Sequence, residues 1–268
     1  MGTSQSSGGP SASVALIPPW VEDIPADLPD GEPPTDETTT DLPIPVAAPA
    51  RFRDARTNVG RFARSGGAKQ MHRALGHYVR SGYGGSATMA RRMDGTSRTA
   101  ARLGAVLQPG GQPDLAAARD AAIARGKNAQ SVLDAIVEAI RPVDGTQDAE
   151  ASRRAIRDAL SDVLERYPEA DLLDLDDIQR QFVVQRFVGL DVYNRFYLDL
   201  GQKLDEHASS ASVASARFAE VREYIAATVA AAFDKLWAAG VSPTSPDLAR
   251  LTKSALRETF RVFEEYLQ

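Results

Sequence analysis

The chain has no cysteine, and its first fifty residues contain neither lysine nor arginine. Without thiols there is no disulfide, no thiolate nucleophile, no Cys-ligated zinc and no iron–sulfur cluster, a composition that suits a reducing interior. No apolar run approaches the roughly 20 residues that span a bilayer. The N-terminus also lacks the basic-then-apolar order of a secretory signal. These absences together imply a cytoplasmic protein that does not cross a membrane.

What is present is unevenly distributed over the 268 residues. Residues 1–50 carry eight acids and ten of the sixteen prolines, for a charge of −8. Residues 51–104 carry twelve Lys/Arg and two acids, for +10, and the remainder carries −7. Proline fixes φ and removes a backbone donor, so helix and central strand are both excluded from the first segment. So polar a composition cannot bury enough apolar surface to offset the entropy of ordering, and a disordered tail is expected. Two apolar islands interrupt it, 15–20 and 42–46. In the first, Pro18, Pro19 and Trp20 form a candidate docking anchor, because large aromatics supply much of the energy of interfaces. Packing of Trp20 back onto its own body is the competing reading.

From residue 50 onward the apolar pattern is helical. Helices are expected at 50–64, 68–80, 86–93, 97–107, 113–125, 128–141, 148–167 and 174–204, with glycines or prolines at most breaks. The 174–204 stretch is apolar nearly all round, the mark of a core helix. Asp191, Arg195 and Asp199 are spaced to ladder as ion pairs along its polar face, and Asp174 is expected to cap its start. A stripe of Phe218, Val221, Ile225, Val229, Ala232 and Leu236 follows. Ser245 as N-cap with Pro246 at the first helical position opens the last helix, whose inward stripe reads Leu248, Leu251, Ala255, Val262 and Tyr266. With no period-2 strand, the fold class is all-α. Three parts are expected: a disordered acidic tail (1–50), basic short helices (51–110) and a bundle-like helical body (111–268).

Chemistry-bearing residues are few. His72 and His77, five apart, point about 140° away from each other on a helix and do not form a ligand pair. The acids Glu169, Asp171, Asp174, Asp176 and Asp177 lack the central glycine and terminal glutamate of a calcium loop. Gly82-Tyr83-Gly84-Gly85-Ser86 could offer backbone N–H groups to a phosphate, but no Lys-Ser/Thr follows and no strand precedes, so an inter-helix turn is the better reading. No catalytic residue and no metal site is therefore assigned, and the chain is read as a non-enzyme. The basic segment 51–102 is more informative. Arg61, Arg64, Arg73, Arg80, Arg91 and Arg92 stand among aromatics and few acids, the composition of a nucleic-acid-binding surface. An acidic partner, or the acidic tail itself, would satisfy the same charges. At the extreme N-terminus, removal of Met1 would leave Gly2 as an unhindered amine.

Several segments together resemble the QatB family of the bacterial Qat anti-phage system. They are Met1-Gly2-Thr3-Ser4, Pro18-Pro19-Trp20, Gly60-Arg61-Phe62-Ala63-Arg64-Ser65-Gly66-Gly67, the run Ala74-Leu75-Gly76-His77-Tyr78-Val79-Arg80-Ser81-Gly82-Tyr83-Gly84-Gly85-Ser86, and Ala90-Arg91-Arg92-Met93. They cover roughly residues 1–93, with the later helices fitting in character. The resemblance implies three partners: an ATPase, an enzyme similar to the deazaguanine-synthesis protein QueC, and a TatD-like nuclease. Enzymes of the QueC type activate a carboxylate with ATP and pass it to an amine. The resemblance thus implies Gly2 as acceptor of a covalent 7-deazaguanine adduct, with no other cofactor. A nucleic-acid-binding adaptor acting through 51–102 is the alternative.

Overall fold

The computed structural model describes residues 50–108, 129–143, 145–172 and 174–267. The described residues contain helices and no strand. The expected helix at 113–125, Gly2, Pro18, Pro19 and Trp20 lie outside them.

Among the described residues nine α-helices follow in order: α1 (Arg53–Ser65), α2 (Ala68–His77), α3 (Ser86–Arg92), α4 (Asp94–Val106), α5 (Ala129–Ile140), α6 (Gln147–Arg166), α7 (Asp177–His207), α8 (Ala211–Ala238) and α9 (Leu248–Glu265). A π-helical turn, Tyr78–Gly82, extends α2. The 31-residue α7 is about 46 Å long at 1.5 Å per residue. It is the axis of the molecule, with α1, α4, α6 and α8 packed around it. That arrangement is what an all-round apolar helix requires: Val183, Val184, Phe187, Val188, Leu190, Val192 and Phe196 are all buried. Gly189 lets α8 come close, since a Cβ there would lie 3.0 Å from the Ala226 Cα.

The short basic helices are built into the same core. α1 and α4 pack on α7, while α2, α3 and α4 pack on α9. Phe52, Phe62, Leu75, Tyr78, Met89 and Leu103 join the later helices in one continuous apolar cluster. The basic character of this segment is therefore an outer layer over buried aromatic and aliphatic side chains.

Several local expectations change. α7 starts later than the acids suggested: Asp176, not Asp174, is its N-cap, accepting from the Gln179 N–H at 2.8 Å. The Gln179 side chain returns the bond to the Asp176 N–H at 3.0 Å, completing a capping box. The last helix also starts later. Ser245, Pro246 and Asp247 form a turn, with the Asp247 N–H donating to Ser245 Oγ, and the helix begins at Leu248. Its inward face is Leu248, Thr252, Ala255, Leu256, Thr259, Phe260 and Phe263, whereas Leu251, Val262 and Tyr266 are only half-buried. Along α8 the expected stripe is buried at Val221, Ile225, Val229 and Ala232, with Phe218 and Leu236 at its margin.

The glycine turn before α3 has a structural occupant. Gly84 and Gly85 have φ of 74° and 103°, backbone that side-chain-bearing residues rarely adopt. The Ser86 N–H then donates to Glu264 Oε2 on α9 at 3.2 Å. A carboxylate from the last helix thus takes the donor that a phosphate would have used.

Candidate functional site

The polar face of α7 organises the chemistry of the body. Asp191, Arg195 and Asp199 do not ladder with one another as their spacing suggested; each reaches a different element. Thr96 Oγ1 donates to Asp191 Oδ2 at 2.6 Å, and Arg195 donates to Asp148 Oδ2 at 2.8 Å. Tyr78 and Tyr83 both donate to Asp199 Oδ2, at 2.8 and 2.6 Å. The ladder loses because α4, α6 and the π-helical turn are packed close enough to offer shorter, better shielded partners.

The π-helical turn explains the tyrosine pair. On an α-helix, residues five apart diverge by about 140°, whereas i→i+5 bonding brings them above one another. Tyr78 and Tyr83 so placed stack edge-to-face at 5.2 Å and share one acceptor. Burial and the Asp199 carboxylate push both phenols well above their ordinary pKa, so both remain donors at any physiological pH. Burial opposes the charge of Arg195, but the carboxylates of Asp148 and Asp199 around it favour the charge and its pKa is held above the usual arginine range.

One helical turn along α7, this seam opens into a cavity of about 420 Å³. Asp191 and Arg195 of α7 form its floor. Asp94, Thr96, Arg98, Thr99 and Arg102 of α4 form one wall, and Arg141, Asp148 and Ser152 form the opposite side. Arg92, just before α4, completes the rim. Five arginines thus face three aspartates. Arg98 pairs with Asp94 at 2.9 Å and Arg195 with Asp148 at 2.8 Å. Arg92 and Arg102 make no ion pair among the described residues. Burial raises the Asp191 carboxyl above its ordinary value, an effect partly offset by the Thr96 hydroxyl.

Behind the cavity, Asp94 also faces Lys253 of α9 at 3.5 Å, both side chains 3% exposed. Ser97 and Thr252 lie buried with hydroxyls that lack a hydrogen-bond partner. The aspartate–lysine contact ties α4 to α9 and has no sequence signature, because its partners are far apart and each stands in an otherwise ordinary helix.

The six nominated arginines do not converge. Arg92 lines the cavity, and Arg91 beside it is half-buried and engaged. Arg64 lines a separate groove of about 480 Å³, together with Arg53, Arg56, Lys203 and His207, beneath Ala50 where the tail joins the body. Arg61, Arg73 and Arg80 are exposed on α1, α2 and the π-helical turn and line neither hollow. His72 is absorbed into packing: it stacks on Tyr266 at 4.1 Å and is held below its ordinary pKa by burial. Sequence reasoning missed Thr96, Arg98, Arg102, Arg141 and Asp148 as a group. The only available signal was the excess of arginine over acid near α4.

Among the described residues, no group of three or more His, Asp or Glu is arranged to hold a metal ion. No helix there is long and apolar enough to cross a membrane. No curated protein and no solved structure matches the chain. A family model described as Qat anti-phage system associated protein QatB matches residues 84–263. The match overlaps the segments that carried the resemblance only at 84–93, so it rests on α3 to α9, including every residue lining the arginine cavity. On that match over two thirds of its length, the chain belongs to the QatB family.

Proposed function

We propose that this component of an anti-phage system is a non-enzymatic subunit whose N-terminal glycine is modified by a QueC-like partner. The observation that carries the reading is a matter of amines. After removal of Met1, the α-amine of Gly2 is the sole amine in the first 68 residues, because Lys69 is the first lysine of the chain. An α-amine has a pKa near 8, roughly two units below a lysine, so a usable fraction is neutral and nucleophilic at physiological pH. It stands at the end of a proline-rich segment with no side-chain amine to compete for an activated acyl group. In the reaction the amine attacks the activated carbonyl carbon, loses a proton and expels the ATP-derived leaving group. An amide remains, and the positive charge of the terminus is lost. Pro18, Pro19 and Trp20 serve as the anchor for the modifying enzyme. The ATPase and the TatD-like nuclease are the remaining partners, and the subunit works in the cytoplasm.

Intact mass of the full chain co-expressed with the QueC-like enzyme tests this. The expected result is loss of Met1 and a gain of one 7-deazaguanine acyl unit on Gly2, abolished by Gly2→Leu together with defence. An unmodified glycine terminus, or full defence with Gly2→Leu, contradicts it.

A second reading, binding of nucleic acid through 51–102, is favoured by one observation. Arg61, Arg64, Arg73 and Arg80 are exposed and make no ion pair among the described residues. Such binding weakens steeply with salt, and the slope falls when these four are replaced by alanine. Salt-independent or absent binding removes the reading.

A further inference from the structure

We propose that the cavity between α4, α6 and α7 is a binding site for a nucleoside monophosphate. Three features of its wall converge on that chemistry. The first is an uncompensated charge. Arg98 and Arg195 are neutralised by Asp94 and Asp148, at 2.9 and 2.8 Å. Arg92 and Arg102 have no ion-pair partner among the described residues, although both line the same hollow. Two guanidiniums without a carboxylate in one hollow suit the three oxygens of a phosphate monoester, which can take several charge-assisted hydrogen bonds at once.

The second feature is the acceptor that Asp191 adds to the same lining. Asp191 is nine-tenths buried, and only its Oδ2 has a hydrogen-bond donor, Thr96. Its Oδ1 is left as an acceptor at the floor of the cavity. A carboxylate oxygen in that position selects ligands that donate, such as a sugar hydroxyl or an amino or imino group of a base, and disfavours a bare anion. Thr99 and Ser152, both lining the cavity, add hydroxyls that can donate or accept. The third feature is size. About 420 Å³ lies within the range of small-molecule sites and exceeds what inorganic phosphate fills. The anionic end of the ligand therefore meets Arg92 and Arg102, and its neutral end meets Asp191.

The site is built on rigid elements. Arg195 is fixed by Asp148, and Asp191 by Thr96, so little ordering is left to occur on binding. None of the residues argued from belongs to the N-terminal segment, so the inference goes beyond the proposed modification of Gly2 and stands or falls separately.

Isothermal titration of the full chain with AMP, GMP, CMP, UMP and inorganic phosphate tests it. At least one nucleotide is expected to bind tenfold or more tightly than inorganic phosphate. Arg92→Ala/Arg102→Ala should weaken that nucleotide at least tenfold, with the unfolding temperature of the free variant reporting that the fold is kept. Should the double variant fail to fold, Arg102→Ala alone, at an exposed side chain, carries the same expectation. Asp191→Asn should reduce the preference for nucleotide over inorganic phosphate. Three results would each overturn the proposal: no nucleotide binding, binding no tighter than inorganic phosphate, or affinity unchanged by the arginine variants. Gly2→Leu should leave every affinity unchanged, which separates this test from that of the N-terminal modification.

Discussion

The arginines of the short helices fall into two populations with different surroundings. On α1, α2 and the π-helical turn, Arg61, Arg64, Arg73 and Arg80 stand in solvent over a buried aromatic layer, without an ion-pair partner among the described residues. From the end of α3 along α4, Arg92, Arg98 and Arg102 line a cavity that aspartates from three helices also line, and of the three only Arg98 pairs with an aspartate among the described residues, Asp94. Unpaired exposed charges are screened and cheap to change, whereas charges gathered around a shared cavity with buried Asp94 and Asp191 act on one another more strongly. One arginine-rich stretch of sequence therefore contains a surface and a site.

The strongest way to break this contrast is to remove the support common to both. Phe187 is fully buried on α7, the helix on which α1 and α4 both rest. Phe187→Ala is expected to cost about 3–5 kcal/mol, read by denaturant unfolding, with both regions melting together. Independent melting of the α1–α2 layer would show that the shared core is not cooperative.

A smaller effect is expected from the tyrosine pair. Tyr78→Phe/Tyr83→Phe removes both donors from Asp199 Oδ2 while keeping the rings, so the loss should be about 1–3 kcal/mol. A change below a few tenths would mean that water already serves Asp199.

The pH dependence sharpens the comparison further. The Asp191 carboxyl is raised by burial, so the folded state holds its proton more tightly than the unfolded chain does. The stability this provides is complete below the ordinary aspartate value and is lost as pH rises through the raised folded value. Asp191→Asn should escape that loss, and its stability relative to the parent should improve as pH rises above the ordinary aspartate value of about 4. A difference that stays constant with pH would contradict the assignment. The smallest effect belongs to the exposed face: each of Arg61→Ala, Arg64→Ala, Arg73→Ala and Arg80→Ala should change stability by no more than about 0.5 kcal/mol.

The sequence was most legible where structure depends on local periodicity. The long helices, the core character of α7 and the buried stripe of α8 all follow from apolar residues recurring every three to four positions. It was least legible where partners are distant. Asp191, Arg195 and Asp199 invite a local ladder because i, i+4 spacing is the only geometry a sequence displays. Their real partners lie 95, 47 and more than 100 residues away. The same limit hid the Asp94–Lys253 contact. The last helix was misread in two ways: Ser245-Pro246 has the composition of a helix start, yet the chain turns there first, and the residues buried in the core include Leu256, Phe260 and Phe263 rather than Leu251, Val262 and Tyr266. The family match also fell on the helical body, residues 84–263, rather than on the N-terminal segments that carried most of the resemblance.

The central functional claim rests at the opposite end of the chain, on an amine with no nearby competitor. Intact-mass analysis of the full chain co-expressed with the QueC-like enzyme addresses it most directly. The account predicts a terminus lacking Met1 and carrying one 7-deazaguanine acyl unit on Gly2. A free glycine, or an adduct on Lys69 or another lysine, would contradict it.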